Sequence, residues 1–437
     1  MRTVTEVGGS ASPFGSPVEG PTGVSGGLAR GSVVRVGAAT GLTALCGYAV
    51  IYLAARDLAP AGFSVFGVFW GAFGLVTGAA NGLLQETTRE VRSMRYVSDL
   101  AALPGGGRTH PLRIAGMVGV GAAVAIAGSS VLWGGRVFVE NRWLSVALLS
   151  VGLAGFCLHA TLLGMLAGTN RWSQYGALMV TDAVIRVTIA AATFLLGWGL
   201  VGFLWATVAG AVAWLIMLAA SPGTRAAAHL MTPGNTVTFL RGAAHSITAA
   251  GASAILVMGF PVLLKVTSDE LGSQGGVVIL AVTLTRAPLL VPLTAMQGNL
   301  IAHFVDERSH RLRALIRPAT LVVGVGALGV LLAAVLGPWL LREFFGADYQ
   351  ASSALLAWLT AAAVAIAMLT LTGAATVAAA LHRAYSLGWV GATVAAGLLL
   401  LLPLELQTRT VVALLCGPLV GIGVHLAALS RVGRSST

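Results

Sequence analysis

Along almost the whole chain, apolar runs of roughly 20 to 30 residues alternate with short polar connections. Twelve such runs fall at residues 33–54, 62–84, 112–133, 143–167, 174–196, 199–220, 243–264, 277–301, 318–341, 352–381, 385–403 and 410–430. At 1.5 Å of rise per residue, each can cross about 30 Å of hydrocarbon as a helix, with its backbone polar groups bonded internally. The pattern predicts an all-α polytopic membrane protein with about 12 transmembrane helices. Its least marked joins are the tight turn at 197–198 and the connection at 382–384. The first 28 residues are rich in Gly, Ser and Pro, lack the apolar stretch of a signal peptide, and read as a disordered tail.

The pattern also repeats. A shift of 216 residues places Asn81-Gly82 on Gln297-Gly298, Glu90 on Asp306 and Arg92 on Arg308. In both copies an apolar run ends in a polar–Gly step and enters a loop of mixed charge. Six runs separate the copies, so both have the same membrane orientation. That predicts two six-helix lobes related by a pseudo-two-fold axis along the membrane normal, with a cavity between them. The expected organisation is a cytoplasmic tail (1–30), an N-terminal lobe (31–220), a cytoplasmic linker (221–242), a C-terminal lobe (243–430) and a short cytoplasmic tail (431–437).

Composition sharpens the picture. Hydrophobic residues make up 57% of the chain and charged ones 9%, with a mean hydropathy of +0.87. Soluble chains carry about a quarter charged residues, so the bilayer must solvate most of this one. A net charge of +11 would suggest nucleic acid in a soluble protein, but here the basic residues sit between apolar runs. With both termini inside, 18 of the 26 basic residues face the cytoplasm, six face outward, and Arg186 and Arg286 lie within runs. The positive-inside rule therefore places a multi-pass protein in the cytoplasmic membrane with both termini cytoplasmic. Cys46, Cys157 and Cys416 all lie in apolar runs, which supports neither a disulfide framework nor a metal cluster. The stretch Pro104-Gly105-Gly106-Gly107 lacks the Lys-Ser/Thr of a phosphate-binding loop and reads as a flexible connection. No catalytic constellation emerges and no cofactor is called for.

Two segments carry more than generic membrane character. Residues 53–92 contain a turn with Asp57 and Pro60, a Phe66-Gly67 step opening the next helix, and Arg89 and Arg92 at its inner end. Residues 341–385 contain the turn Phe345-Gly346-Ala347-Asp348-Tyr349, then a long helix ending at a short basic turn. These hairpins resemble those of bacterial polysaccharide flippases of the multidrug/oligosaccharidyl-lipid/polysaccharide exporter superfamily, and the resemblance covers roughly residues 30–430. It implies a non-enzymatic, alternating-access flippase that moves a polyprenyl-(pyro)phosphate-linked glycan from the inner to the outer leaflet. The implied partners are the lipid-linked anionic glycan, the bilayer, and the glycosyltransferases or polymerases of envelope synthesis.

Such a cargo needs a shielded polar cavity with fixed positive charge. Arg286 is the first candidate, since a charge at membrane depth costs roughly 2.5–3.5 kcal/mol unless it is paired or hydrated. A guanidinium also matches phosphate bidentately. Pro288 and Pro292 follow it and are expected to break the helix there. In the competing reading, Arg286 satisfies the carbonyls that those prolines free. Arg35 and Arg56 flank the first span and could line a basic path or merely reach the interface. Asn81, Gln85 and Arg89 form a polar stripe at i, i+4, i+8 that fits either a cytoplasmic mouth or an ordinary helix end. Asp182 and Arg186, also four apart, read as a structural ion pair or an ion-coupling site. His159, His245 and His425 stand alone in their helices, and Gly71, Gly74 and Gly78 suit close helix packing.

Three rivals share parts of this pattern. A multidrug-type antiporter would have the same architecture but should present acids to cationic drugs. A membrane glycosyltransferase or polymerase acting on lipid-linked sugars needs substantial outer loops, whereas the longest here has about 12 residues (265–276). A non-transporting scaffold is the third. The topology is directly testable: reporter fusions at residues 100, 230 and 437 should report cytoplasm, and fusions at 138, 270 and 346 the outside. A consistent inversion would remove the two-lobe orientation.

Overall fold

The computed structural model of the protein describes residues 25–97, 108–233, 235–307 and 311–435. Its helices are α1 (Ser25–Val97), α2 (Pro111–Val137), α3 (Arg142–Gly168), α4 (Trp172–Leu196), α5 (Gly199–Ala209), α6 (Ala213–Ala220), α7 (Pro222–Ala228), α8 (Thr236–Val257), α9 (Phe260–Val266), α10 (Gly272–Ala295), α11 (Gln297–Asp306), α12 (Arg311–Phe345), α13 (Ser353–Ala378), α14 (His382–Leu399) and α15 (Leu406–Ser435). A two-residue antiparallel pairing joins β1 (Arg108–Thr109) to β2 (Thr232–Pro233).

Among the described residues, nine helices are long and apolar enough to cross a membrane, and α8 with α9, bent by 67°, makes a tenth. α1 is really two crossings. Ala59 adopts φ 50° and ψ 172° immediately before Pro60, so the helix breaks there. Tyr48 and Trp70 line one cavity, although an unbroken helix would hold them about 33 Å apart. The shorter, less apolar α14 completes the expected twelve. We call the end carrying the Ala59 turn the turn end, and the opposite end the terminal end.

Boundaries differ from the sequence reading where capping decides them. Asn235 accepts the backbone N–H of Thr238 at 2.8 Å, so α8 starts inside the expected linker. The linker also holds α7, whose first turn is capped by the Ser221 hydroxyl accepting from the Thr224 N–H at 3.2 Å. The turn at 197–198 stands as expected, with Gly197 at φ 66°. The next uncertain join comes earlier than 382–384, at Ala379–Leu381, because Ala380 takes φ 59°. The repeat also diverges locally. Helix α1 runs on through Asn81-Gly82, whereas the equivalent crossing stops at Ala295 and restarts as α11. Residues 1–24, the glycine run at 104–107, and Arg308 lie outside the described residues.

The second arm of α1 is the spine. Helix α1 as a whole packs on α3 and α4 in its own half and on α8 and α10 of the other. Across that boundary, Gly67 faces Ile279, Gly71 faces Pro261, Gly74 faces Met258, Gly78 faces Ala254, and Gly82 faces Ile247. Small residues at this spacing let backbones approach where lipid offers no hydrophobic drive to associate. At Gly82 the approach is closest, and a Cβ would overlap the backbone of Ser246 and Ile247. One turn further, Glu86 is buried against Gly242.

Gly82→Ala should therefore destabilise the protein by about 1–3 kcal/mol through overpacking. Gly37→Ala, in open space, should be neutral. Thermal unfolding of both variants in detergent checks the pair, and equal melting temperatures would refute the close-packed boundary.

Candidate functional site

The site begins with a proline, though not either of those expected. Pro261 has no N–H, so the carbonyl of Val257, four residues earlier, loses its helical partner, and the crossing breaks between Val257 and Phe260. An orphaned carbonyl at membrane depth is costly. Arg286, on α10, supplies the missing donor. Its Nη1 donates to Val257 O at 3.0 Å and to Leu256 O at 3.4 Å, and its guanidinium carbon lies 5.4 Å from the centre of the Phe260 ring. Arg286 is only 7% exposed, yet its Nη2 is buried without a hydrogen-bond partner.

Arg286 lines a cavity of about 170 Å³ between the two halves. Tyr48, Phe63, Phe66 and Trp70 come from the arms of α1, Met258 and Pro261 from the broken crossing, and Thr283, Leu290 and Thr294 from α10. Among the described residues no acidic side chain lines it, and Arg286 is the one ionisable side chain apart from the phenol of Tyr48. Its wall is thus aromatic and aliphatic, with a single fixed cation carrying a spare donor.

The cavity is closed at the turn end. There the Tyr349 hydroxyl donates to the carbonyl of Ala55 at 3.0 Å, and Phe63 and Phe345 pack around its ring at 6.2 and 6.1 Å. Tyr52 meets Phe345 edge-on at 5.7 Å. Burial, reinforced by Asp348, raises the Tyr349 phenol above its usual range, so it stays a donor. Nearby, a Cβ on Gly276 would overlap the carbonyl of Pro60, so the N-terminus of α10 seats directly on the α1 turn. The same helices carry more exposed side chains toward the terminal end. Val50, Ala54 and Val278–Val282 are buried, whereas Leu42, Leu45 and Met296 are 45%, 69% and 53% exposed.

The other sequence-selected residues do not converge here. Arg35 reaches Ser173 Oγ at 3.4 Å at the terminal end, and Arg56 is exposed beside Gly346 at the turn end. Asn81 is half-buried and Gln85 exposed, while Arg89 pairs with Glu86 at 2.6 Å and Glu90 at 3.0 Å. The stripe is thus a helix surface, and beside it Glu86 is buried, 3% exposed. Asp182 and Arg186 are joined at 3.0 Å, packed on Gly210 where a 3-10 turn (Gly210–Val212) interrupts the crossing formed by α5 and α6. The Arg186 guanidinium also sits 5.3 Å from the Phe73 ring. His159 stacks on Phe156, and His245 is exposed, with its Nδ1 3.0 Å from the carbonyl of Arg241.

The expected helix break at Pro288 and Pro292 is corrected outright. α10 runs unbroken from Gly272 to Ala295 through both prolines. They lie on its exposed face, so each lost hydrogen bond falls on the side away from the cavity. The residue that breaks a helix beside Arg286 is Pro261, which the apolar pattern hid because it sits inside a continuous hydrophobic run.

This geometry makes a stability prediction. Arg286→Ala should lower the melting temperature, because the Val257 carbonyl loses its donor. Pro261→Ala supplies a backbone N–H to that carbonyl and should recover part of the loss, a coupling of about 0.5–3 kcal/mol in a double-mutant cycle. Strict additivity of the two variants in thermal unfolding would contradict the bracing contact.

Comparison with known proteins fits this architecture. No protein-family model matches the chain. Among solved structures, the inward-facing conformation of a multidrug resistance MATE family transporter of the MOP superfamily aligns with a TM-score of 0.68 and 16% identity, over 90% of this chain and 96% of that one. The outward-facing conformation of a multidrug resistance MATE family transporter of that superfamily aligns at 0.64 and 15%, over 92% and 96%. At these identities the likeness is one of fold. In sequence, the chain is 80% identical over 429 residues to the uncharacterized protein Rv3630 of Mycobacterium tuberculosis H37Rv, covering 98% of each chain. It is 70% identical over 428 residues to the uncharacterized protein Rv1510 of the same strain, over 98% of this chain and 96% of that one. A multi-pass membrane protein with a MATE-like fold, the chain belongs to the mycobacterial protein family that includes Rv3630 and Rv1510.

Proposed function

We propose that the protein is an alternating-access transporter whose cargo is an amphipathic molecule carrying an anionic group. Within that class, the cargo that fits best is a polyprenyl-(pyro)phosphate-linked glycan, moved from the inner to the outer leaflet of the cytoplasmic membrane. One observation carries this reading: Arg286, whose buried Nη2 has no partner, lines an apolar cavity with no acid among its described residues. A buried charge-assisted donor is well matched to a phosphate oxygen, and the aromatic walls suit the apolar part of such a molecule. The arginine distribution puts the terminal end in the cytoplasm. On that orientation the cavity is closed outward and would load from inside. The Asp182–Arg186 pair is a candidate coupling site in the first half, and enzymes of envelope synthesis would supply and consume the cargo.

A second reading is favoured by fold. The solved structures that align over nine-tenths of the chain are MATE transporters, and two are described as multidrug resistance proteins. Ion-coupled export of drugs therefore has more direct support from architecture than a glycan has. Against it stands the sign of the cavity, because lipophilic cations would meet Arg286 and no counter-charge.

Depleting the protein in its host and profiling lipid-linked glycans by leaflet separates the two. The flippase reading predicts that one intermediate accumulates in the inner leaflet. Complementation by Arg286→Lys should be partial, since the ammonium keeps the charge but loses the planar fork. Unchanged glycan sidedness, with new sensitivity to lipophilic cations, would overturn it in favour of the antiporter.

A further inference from the structure

His425, on α15, is completely buried among α13, α14 and α15, in the second half and away from the Arg286 cavity. Its ring is held on both nitrogens. Nδ1 lies 3.0 Å from the hydroxyl oxygen of Thr372 on α13, and Nε2 lies 3.3 Å from the backbone carbonyl of Tyr385 on α14. The Tyr385 ring lies parallel to it, 6.2 Å between centres and 2° between planes. The space is made by Gly388, where a Cβ would overlap the imidazole. This is a built pocket for one ring.

The hydrogen-bond inventory decides what the pocket can hold. The Tyr385 carbonyl only accepts, so Nε2 must carry a hydrogen. The Thr372 hydroxyl has one hydrogen and two lone pairs. Its oxygen also lies 3.0 Å from the carbonyl of Met368 and 3.1 Å from that of Leu369. Two complete arrangements follow. In the first, the imidazole is neutral and the Thr372 hydroxyl donates to Nδ1. In the second, a proton has bound at Nδ1, Nδ1–H donates to the Thr372 oxygen, and the hydroxyl turns to donate to the carbonyl of Met368 or Leu369. Every polar group is satisfied in both states, and passing between them takes one added proton and one hydroxyl rotation.

We infer that His425 is a reversible proton-binding site, with Thr372 as the rotor that accommodates the proton. Few other charges bear on it. α13 contains no ionisable side chain, Tyr385 is the titratable group that touches the ring from α14, and His382, Arg383 and Arg431 lie exposed at the helix ends. α8 approaches with the Ser253 hydroxyl, which interacts with Tyr385. Through Tyr385 the site is thus in contact with the face of α8 that meets α14. It stands whichever cargo the transporter carries.

The test is a histidine ¹⁵N NMR titration of the full-length protein in lipid nanodiscs over roughly pH 5 to 8.5, which brackets the ordinary imidazole range. The His425 signals are assigned by their loss in His425→Gln. The expected result is reversible conversion from an Nε2–H neutral ring to an imidazolium with both nitrogens protonated. Thr372→Val removes the hydroxyl partner from both states, but the charged ring loses the stronger, charge-assisted bond, so proton binding should weaken at least about tenfold, moving the midpoint down by about one pH unit. Thr372→Ser keeps the hydroxyl and should restore the midpoint. A ring that stays neutral throughout, a Thr372→Val titration that matches the native protein, or a failure of Thr372→Ser to restore the midpoint would overturn the assignment.

Discussion

The contact between the Arg286 guanidinium and the Val257 carbonyl ties the broken crossing to its neighbour. A proline at 261 leaves an acceptor that lipid cannot satisfy, and a side chain from the next crossing closes the gap. The bend of 67° that follows sends α9 away from the axis of α8. That opening gives Met258, Pro261 and Phe260 their places against α1 and Arg286. Breaking a helix in a membrane is tolerable only where protein or a water-filled cavity meets the freed groups. Here one cation meets them through Nη1, while its Nη2 is left without a partner.

Around that contact, the two halves meet along a strip of glycines on the second arm of α1 and are plugged at the turn end by Tyr349. The strip is close-packed but chemically bland, built from Gly against Ala, Ile, Met and Pro. The plug is a single hydrogen bond framed by aromatic rings. A boundary of this kind can shift without breaking ion pairs, because the described salt bridges all lie within single helices. In the first half the buried acids are paired on their own helices: Glu86 with Arg89, and Asp182 with Arg186.

Much of this was legible in the sequence because the bilayer imposes its length and polarity on each crossing. The twelve spans, the two halves and the arginine at membrane depth all follow from runs of about 20 apolar residues. What stayed hidden depends on tertiary partners. Proline carries no label for which way it faces, so Pro288 and Pro292 looked like the break while sitting on the exposed side of an intact helix. Pro261, inside an apolar run, looked like packing. Glu86 was masked by the polar stripe around it, since only the approach of Gly242 buries it. Tyr349 stood in a motif whose shape was recognised, but its bond to Ala55 spans 294 positions and has no local signature.

The central claim is that Arg286 does two separable jobs: it braces the broken crossing and holds an anionic group. The doubly substituted protein, Arg286→Ala with Pro261→Ala, isolates the second, because the added N–H replaces the brace but not the cation. The measurement is leaflet sidedness of a polyprenyl-phosphate-linked glycan in proteoliposomes containing this variant at native abundance. The account predicts a protein that melts closer to the native temperature than Arg286→Ala alone, yet moves no lipid. Transport restored together with stability would show that Arg286 only braces, and would contradict it.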